Sequence, residues 1–146
     1  MEKVKCYFDG ACEPKNPGGN MGIGAYILVH GKEIYTHSNY ILANSENSNN
    51  VAEYMALEKI LQYLQSNDLK SKEIWIYGDS NLVIQQMSGK WKVKNGLYKE
   101  SALRCKELAL RLKTKHNLNY KWIPRELNER ADKLSKQHLL TETEKP

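Results

Sequence analysis

The spacing of hydrophobic and polar positions changes period several times along the chain, and each change predicts a new element. Residues 3–8, "KVKCYF", alternate loosely and are rich in Val, Tyr and Phe, the pattern of a strand. The stretch "GIGAYILVHGKEIYTHSNYIL" predicts a hairpin, two β-rich runs joined near His30, Gly31 and Lys32. The polar run "NSENSNN" then punctuates the chain. From Val51 to Leu64 the period becomes helical, with Leu57, Ile60, Leu61 and Leu64 on one stripe. "EIWIY" is short and almost wholly apolar, as buried strands are. "SNLVIQQM" and "LYKESALRCKELALRLKTK" predict two further helices, and "LNYKWI" a last strand. "PRELNERADKLSKQHLL" closes the pattern as a helix with Asn128 as its N-cap.

The order βββ, α, β, α, α, β, α implies an α/β fold. Its sheet is mixed, antiparallel in the first three strands and parallel afterwards, with helices packed on it. Length adds that 146 residues form one domain with a real core. We expect it to span residues 1–140, with 141–146, "TETEKP", as a flexible tail. A hydrophobic fraction of 40% excludes a disordered chain. No apolar run approaches the about 20 residues of a membrane span. The start "MEKVKCYFDG" enters a strand pattern without a signal-peptide core, which predicts a cytoplasmic protein. Cys6, Cys12 and Cys105 are odd in number and lack metal-site spacing, so free thiols are expected.

A net charge of +5 allows a polyanionic partner. The stretch "KWKVKNGLYK", residues 90–99, holds four lysines around Trp91 and Tyr98, a mixture suited to phosphates and sugars. It is equally the composition of a solvated turn.

Four carboxylates fall at the ends of predicted elements. Glu53 lies in phase with the apolar stripe of its helix, a costly place for a charge unless a cation meets it. Its alternative role is to complement the helix dipole. Asp79 follows "EIWIYG" at the carboxyl end of a buried strand, where open α/β sheets place ligands; a lone Asp there also makes an N-cap. Asp9 ends the first predicted strand, before the Gly-, Pro- and Asn-rich "GACEPKNPGG". Asp132 is off the stripe of Leu127, Ala131, Leu134 and His138 and alone reads as a surface residue. If the first and fourth strands are parallel neighbours, Asp9 and Asp79 emerge side by side and Glu53 can reach them. Such like charges stay ionised together only around cations. Oxygen ligands without His or Cys favour Mg²⁺ or Mn²⁺ over Zn²⁺.

"YFDGACEPKNPGG", "NNVAEYMAL", "YGDSNLVIQQ" and "NERADKLS" resemble, in order and spacing, the four acidic motifs of type 1 ribonuclease H. The resemblance runs from Lys3 to about Leu140. It implies a five-stranded mixed sheet with helices on both faces, and an endonuclease that cuts the RNA strand of RNA–DNA hybrids to 5′-phosphate and 3′-hydroxyl ends. It further implies that Asp9, Glu53, Asp79 and Asp132 hold two Mg²⁺ ions, or Mn²⁺ in their place, over the scissile phosphate. Asn16, Asn49 and Asn50 resemble the family's contacts to 2′-hydroxyls and bases. Ser48 and Asn95 resemble its pocket for a DNA-strand phosphate, and Trp91 joins the substrate contacts. For the Asn residues, turn and capping chemistry stands beside this reading.

Two features depart from many members. The loop before the last acid, "KWIPRELNER", has no His, and Arg125 stands in as a phosphate contact. The basic helix and loop that longer members insert before "KNGLY" is absent, which resembles the compact members. The resemblance implies action on RNA–DNA hybrids, and we expect a monomer that acts away from membranes. Double-stranded RNA is a further possible substrate, and a catalytically weak or inactive binding module is the alternative from another class.

Overall fold

The computed structural model describes residues 3–71 and 73–144, with side chains up to residue 137. Three strands come first: β1 (Lys3–Glu13), β2 (Asn20–Val29) and β3 (Lys32–Ile41). They are followed by α1 (Asn49–Ser66), β4 (Glu73–Gly78), α2 (Asn81–Met87), α3 (Lys99–Leu112), β5 (Asn117–Trp122) and α4 (Glu129–Glu144). The sheet order is β3-β2-β1-β4-β5. The β1–β2 and β2–β3 pairs are antiparallel, and β1–β4 and β4–β5 are parallel. This is the mixed sheet expected from the element order.

The β2–β3 hairpin closes on His30 and Gly31, both at positive φ (53° and 73°). Its two-residue turn therefore matches the strand twist, with glycine at the second position. On one face of the sheet α1 and α3 cover the main core. The predicted stripe of Leu57, Ile60, Leu61 and Leu64 is buried there against Val4, Cys6, Phe8, Ile74 and Ile76. On the other face α4 packs through Ala131 and Leu134 on Tyr26, flanked by Tyr7 and Leu28. The three thiols are free and buried. No helix among the described residues is long and apolar enough to cross a membrane.

Three expectations need correction. β1 does not stop at Phe8: its ladder with β2 continues to Glu13↔Asn20, so Asp9 lies inside the strand rather than at its end. β4 is buried on one face only. Ile74 and Ile76 are fully buried, whereas Trp75 and Tyr77 are half-buried in a row of stacked rings with Tyr7 and Tyr26. Leu127 does not belong to the α4 stripe, because a 3₁₀ turn over Arg125–Leu127 precedes the helix and leaves it 65% exposed. The side chain of His138, expected on that stripe, lies outside the described residues.

Candidate active site

The site begins with strand register. β1 and β4 run parallel with Tyr7 opposite Tyr77, and the same register carried two residues further sets Asp9 beside Asp79. Past Tyr7, β1 has lost its β4 partner, so its backbone groups on that side need others. The Gly10 N–H donates to Asp9 Oδ1 at 3.0 Å, and the Phe8 carbonyl accepts from Asn128 Nδ2 at 3.0 Å. The carbonyl of Asp79 itself accepts from Trp122 Nε1 at 3.1 Å.

Two glycines then set the helices. A Cβ on Gly10 would lie 2.4 Å from the Ala52 carbonyl carbon and 2.5 Å from the Glu53 nitrogen. Only glycine lets α1 sit this low, and the close approach brings Glu53 to the β1 backbone. Gly24 is the residue opposite Asp9 in the β1–β2 ladder. A Cβ on it would lie 2.4 Å from the Ala131 carbonyl oxygen, so the turn of α4 that carries Asp132 seats directly beside Asp9.

Asp9, Glu53 and Asp79 converge as a result: one carboxylate oxygen from each lies within 4.8 Å of the others. Asp9 and Glu53 are only 6% and 7% exposed. Glu53 Oε2 and Asp79 Oδ2 are buried without a hydrogen-bond partner. Asp132 stands outside this trio, half-buried, with Lys136 Nζ 3.3 Å from its Oδ1.

Burial, then repulsion from Asp79 and Asp132, pushes the Asp9 carboxyl up to about 7, against a lowering contribution from the Gly10 amide. Burial and the Asp9 and Asp79 charges likewise hold Glu53 well above the carboxylate range. Asp79 is raised by burial, while the nearby Asn128 amide and the Arg125 guanidinium favour its charged form. Two buried acids and a half-buried third, with unpartnered oxygens on Glu53 and Asp79 and only the exposed Arg125 as a nearby cation, form a site that divalent ions fit. The donor set is all oxygen, which suits Mg²⁺ or Mn²⁺.

The other predicted contacts surround this cluster. Ser48 caps α1, its hydroxyl accepting from Val51 N at 3.1 Å. Asn16 Oδ1 accepts from Asn49 N at 2.9 Å, and Asn49 Oδ1 accepts from Cys12 N at 2.9 Å. Through their oxygens the two residues tie β1 and the loop after it to the start of α1. Asn50 follows in the first turn of α1 and is half-buried. Asn95 accepts from Lys99 Nζ at 3.0 Å, and Trp91 is 47% exposed on the segment between α2 and α3. Tyr98, at the end of that segment, packs on the cluster of Cys12, Met21, Val51 and Ala52 and so carries it alongside the start of α1. Arg125 is exposed beside Asp79.

Sequence reasoning missed several supports. Asn128 is fully buried, and its side chain bonds β1 instead of capping α4. Asn47, 2% exposed, ties Gly19 O and Leu42 O, each at 2.9 Å. Gln86, 1% exposed, anchors the segment after α2. A lone Asn or Gln carries no periodic signal; only its tertiary partners reveal it.

Residues 7–138 match the family model described as reverse transcriptase-like. LC11-RNase H1, isolated from compost by a metagenomic approach, superposes with a TM-score of 0.84 at 34% identity, covering 98% of this chain and 99% of that one. The chain belongs to the type 1 ribonuclease H family. A second structure of LC11-RNase H1, in complex with an RNA/DNA hybrid, aligns with a TM-score of 0.78 over 92% of this chain and 94% of that one. Ribonuclease HI of Halobacterium salinarum is 32% identical over 140 residues, which is 94% of this chain and 64% of that protein. The bifunctional protein Rv2228c of Mycobacterium tuberculosis is 36% identical over 124 residues, 80% of this chain and 31% of that protein. The chain thus spans between about one third and two thirds of these curated relatives' length. Residues 88–98, between α2 and α3, hold no helix, as the sequence led us to expect.

Proposed function

We propose that this chain is a metal-dependent endoribonuclease that hydrolyses the RNA strand of RNA–DNA hybrids, with residues 1–140 acting as one domain. The observation that carries the reading is the trio of converging carboxylates, two buried and one half-buried, with two of their oxygens unpartnered, in a chain of the ribonuclease H family. A relative solved with an RNA/DNA hybrid, LC11-RNase H1, supports the substrate class.

Asp9, Glu53 and Asp79 would hold divalent ions, with Asp132 completing the set from α4. The chemistry such ions supply is a more acidic water and charge neutralisation at the phosphate, and two of them fit hydrolysis to 5′-phosphate and 3′-hydroxyl ends. The protein's own part is electrostatic. It keeps the Asp9 proton up to about pH 7, so that ion binding and proton release are coupled. Asn128 and Trp122 fix the backbone on either side of the cluster, which holds the carboxylates in place while charge changes hands. Arg125, exposed next to Asp79, would take a phosphate oxygen where other members use a loop histidine. The side-chain amides of Asn16, Asn49 and Asn50 suit 2′-hydroxyls and base edges of the RNA strand. Ser48, Asn95, Trp91 and the lysines around it suit the DNA strand's phosphates and sugars.

Cleavage of a labelled RNA–DNA hybrid with Mg²⁺, Mn²⁺ or EDTA, beside duplex RNA and duplex DNA, tests the proposal. Hybrid cleavage that needs the metal and is abolished in Asp79→Asn, with the fold intact by circular dichroism, is the expected result. Hybrid bound but never cut in either metal would make the chain a binding module, and wild-type turnover by Asp79→Asn would remove the role of the acids. Comparable cleavage of duplex RNA would widen the substrate class.

A further inference from the structure

Residues 88–98 carry Trp91 and three of the four lysines of the basic stretch, yet no strand or helix holds them. Free chain of this kind would have to be ordered on binding, at a cost in affinity. The structure holds it from below instead. Gln86, near the end of α2, is 1% exposed and uses its whole amide. Its Oε1 accepts from the Tyr54 hydroxyl at 2.6 Å, and its Nε2 donates to the Lys92 carbonyl at 3.0 Å and to the Tyr98 hydroxyl at 3.1 Å. Tyr98 accepts a second bond from Lys94 N at 3.2 Å. The partners fix which end of the amide is which, since the Lys92 carbonyl can only accept.

Tyr54 is wholly buried in α1 and stacks on Tyr98 with ring centres 5.8 Å apart. The network therefore runs from the core floor to the backbone of Lys92 and Lys94, the two lysines flanking Val93. The preceding turn is pinned separately, with Lys90 N and Trp91 N both donating to the Gln85 carbonyl at 3.0 and 3.1 Å. Above the Gln86 amide opens a cleft of about 520 Å³ rimmed by Leu82, Trp91, Lys92 and Lys94. A merely structural glutamine would satisfy core groups; this one spends both its N–H donors on the segment that carries the exposed cations and ring.

On the hybrid-nuclease reading above, the geometry points to Gln86 as a positioning residue for nucleic-acid binding: through Lys92 O and Tyr98 it pre-forms the lysine and tryptophan rim. It touches no reacting atom, so its effect belongs in substrate affinity and not in turnover.

The test compares wild type, Gln86→Met and Tyr98→Phe. Met fills similar volume without the amide, and Phe keeps the ring stack while removing the hydroxyl shared by Gln86 and Lys94. Hybrid binding is read by fluorescence anisotropy in EDTA, and KM and kcat by cleavage in Mg²⁺. Both variants should raise Kd and KM about tenfold at low salt and leave kcat within about twofold. The slope of log Kd against log salt should fall by about one to two, the equivalent of one or two phosphate contacts. In a Lys92→Ala/Lys94→Ala background, Gln86→Met should have a smaller effect on Kd than in wild type, as expected when it acts in part through those residues. Lower melting temperature with unchanged Kd, KM and salt slope would make the network structural only and overturn the inference; if Gln86→Met fails to fold, Tyr98→Phe decides alone. A wild type that neither binds nor cuts hybrid would instead sink the hybrid-nuclease reading, and this inference with it.

Discussion

Replacing Asp9 by Asn should make the metal-free protein more stable at pH 8, even as it removes a proposed ion ligand. Asn keeps the oxygen that accepts from the Gly10 N–H at 3.0 Å and adds no volume. What it removes is a charge that burial and the Asp79 and Asp132 carboxylates resist, holding the Asp9 proton from its ordinary value of 3.8 up to about 7. Between those pH values the native state binds more protons than the unfolded state, so stability falls as pH rises. The stabilising protonation is complete below about pH 4 and lost above about pH 7. At 1.36 kcal/mol per pH unit the loss amounts to up to about 4 kcal/mol, or about 10 °C in melting temperature for a chain this size. The assay is thermal unfolding in EDTA from pH 4 to pH 8. Wild type should lose stability across that range, and Asp9→Asn should lose at least half of that slope, because it also relieves Glu53 of the Asp9 charge. At pH 4 the two should converge. Millimolar Mg²⁺ at pH 8 should raise the wild-type midpoint and leave the variant's unchanged. Parallel curves in EDTA, or a variant less stable at pH 8, would show that no strained carboxylate cluster exists.

Two further substitutions probe how the cluster is assembled. Gly10→Ala puts a methyl 2.4 Å from the Ala52 carbonyl carbon, so α1 must lift; we expect a cost of about 1–3 kcal/mol by chemical denaturation and a larger loss of cleavage than the stability change explains. Asn128→Ala leaves the Phe8 carbonyl unpaired in a fully buried place, which should cost about 1–3 kcal/mol and weaken Mg²⁺ binding measured by calorimetry.

Much of this fold was legible because its periods are clean. The α1 stripe, the His30–Gly31 turn and the β4-to-Asp79 step each follow from local pattern, and the structure has them as read. Glu53 was the acid whose burial could be argued from helical phase, and it is buried where the stripe put it. Asp132, which phase alone would leave on the surface and the motif resemblance joins to the other acids, is half-buried, paired with Lys136 and close enough to Asp9 to raise its carboxyl. Asp9 was misplaced because the glycines beside it imitate a turn. Gly10 and the glycines of β2 look like strand breakers in isolation, whereas the ladder to Glu13 shows a strand thinned on purpose.

That thinning explains why the carboxylates meet at all. A central strand between two others offers its side chains to both faces, and a buried acid on it would normally be sealed under a helix. Here glycines stand at Gly10 and Gly24, so α1 and α4 approach on opposite faces at backbone contact. At the same height β4 pairing has ended, opening the edge where Asp9 and Asp79 emerge. The small residues bring Glu53 in from one helix and Asp132 alongside from the other, while Asn128 replaces the missing strand's hydrogen bond without filling the gap. None of these contacts is periodic, and each depends on a partner more than twenty residues away, which is why hydrophobic patterning located the elements but could not show the seat between them.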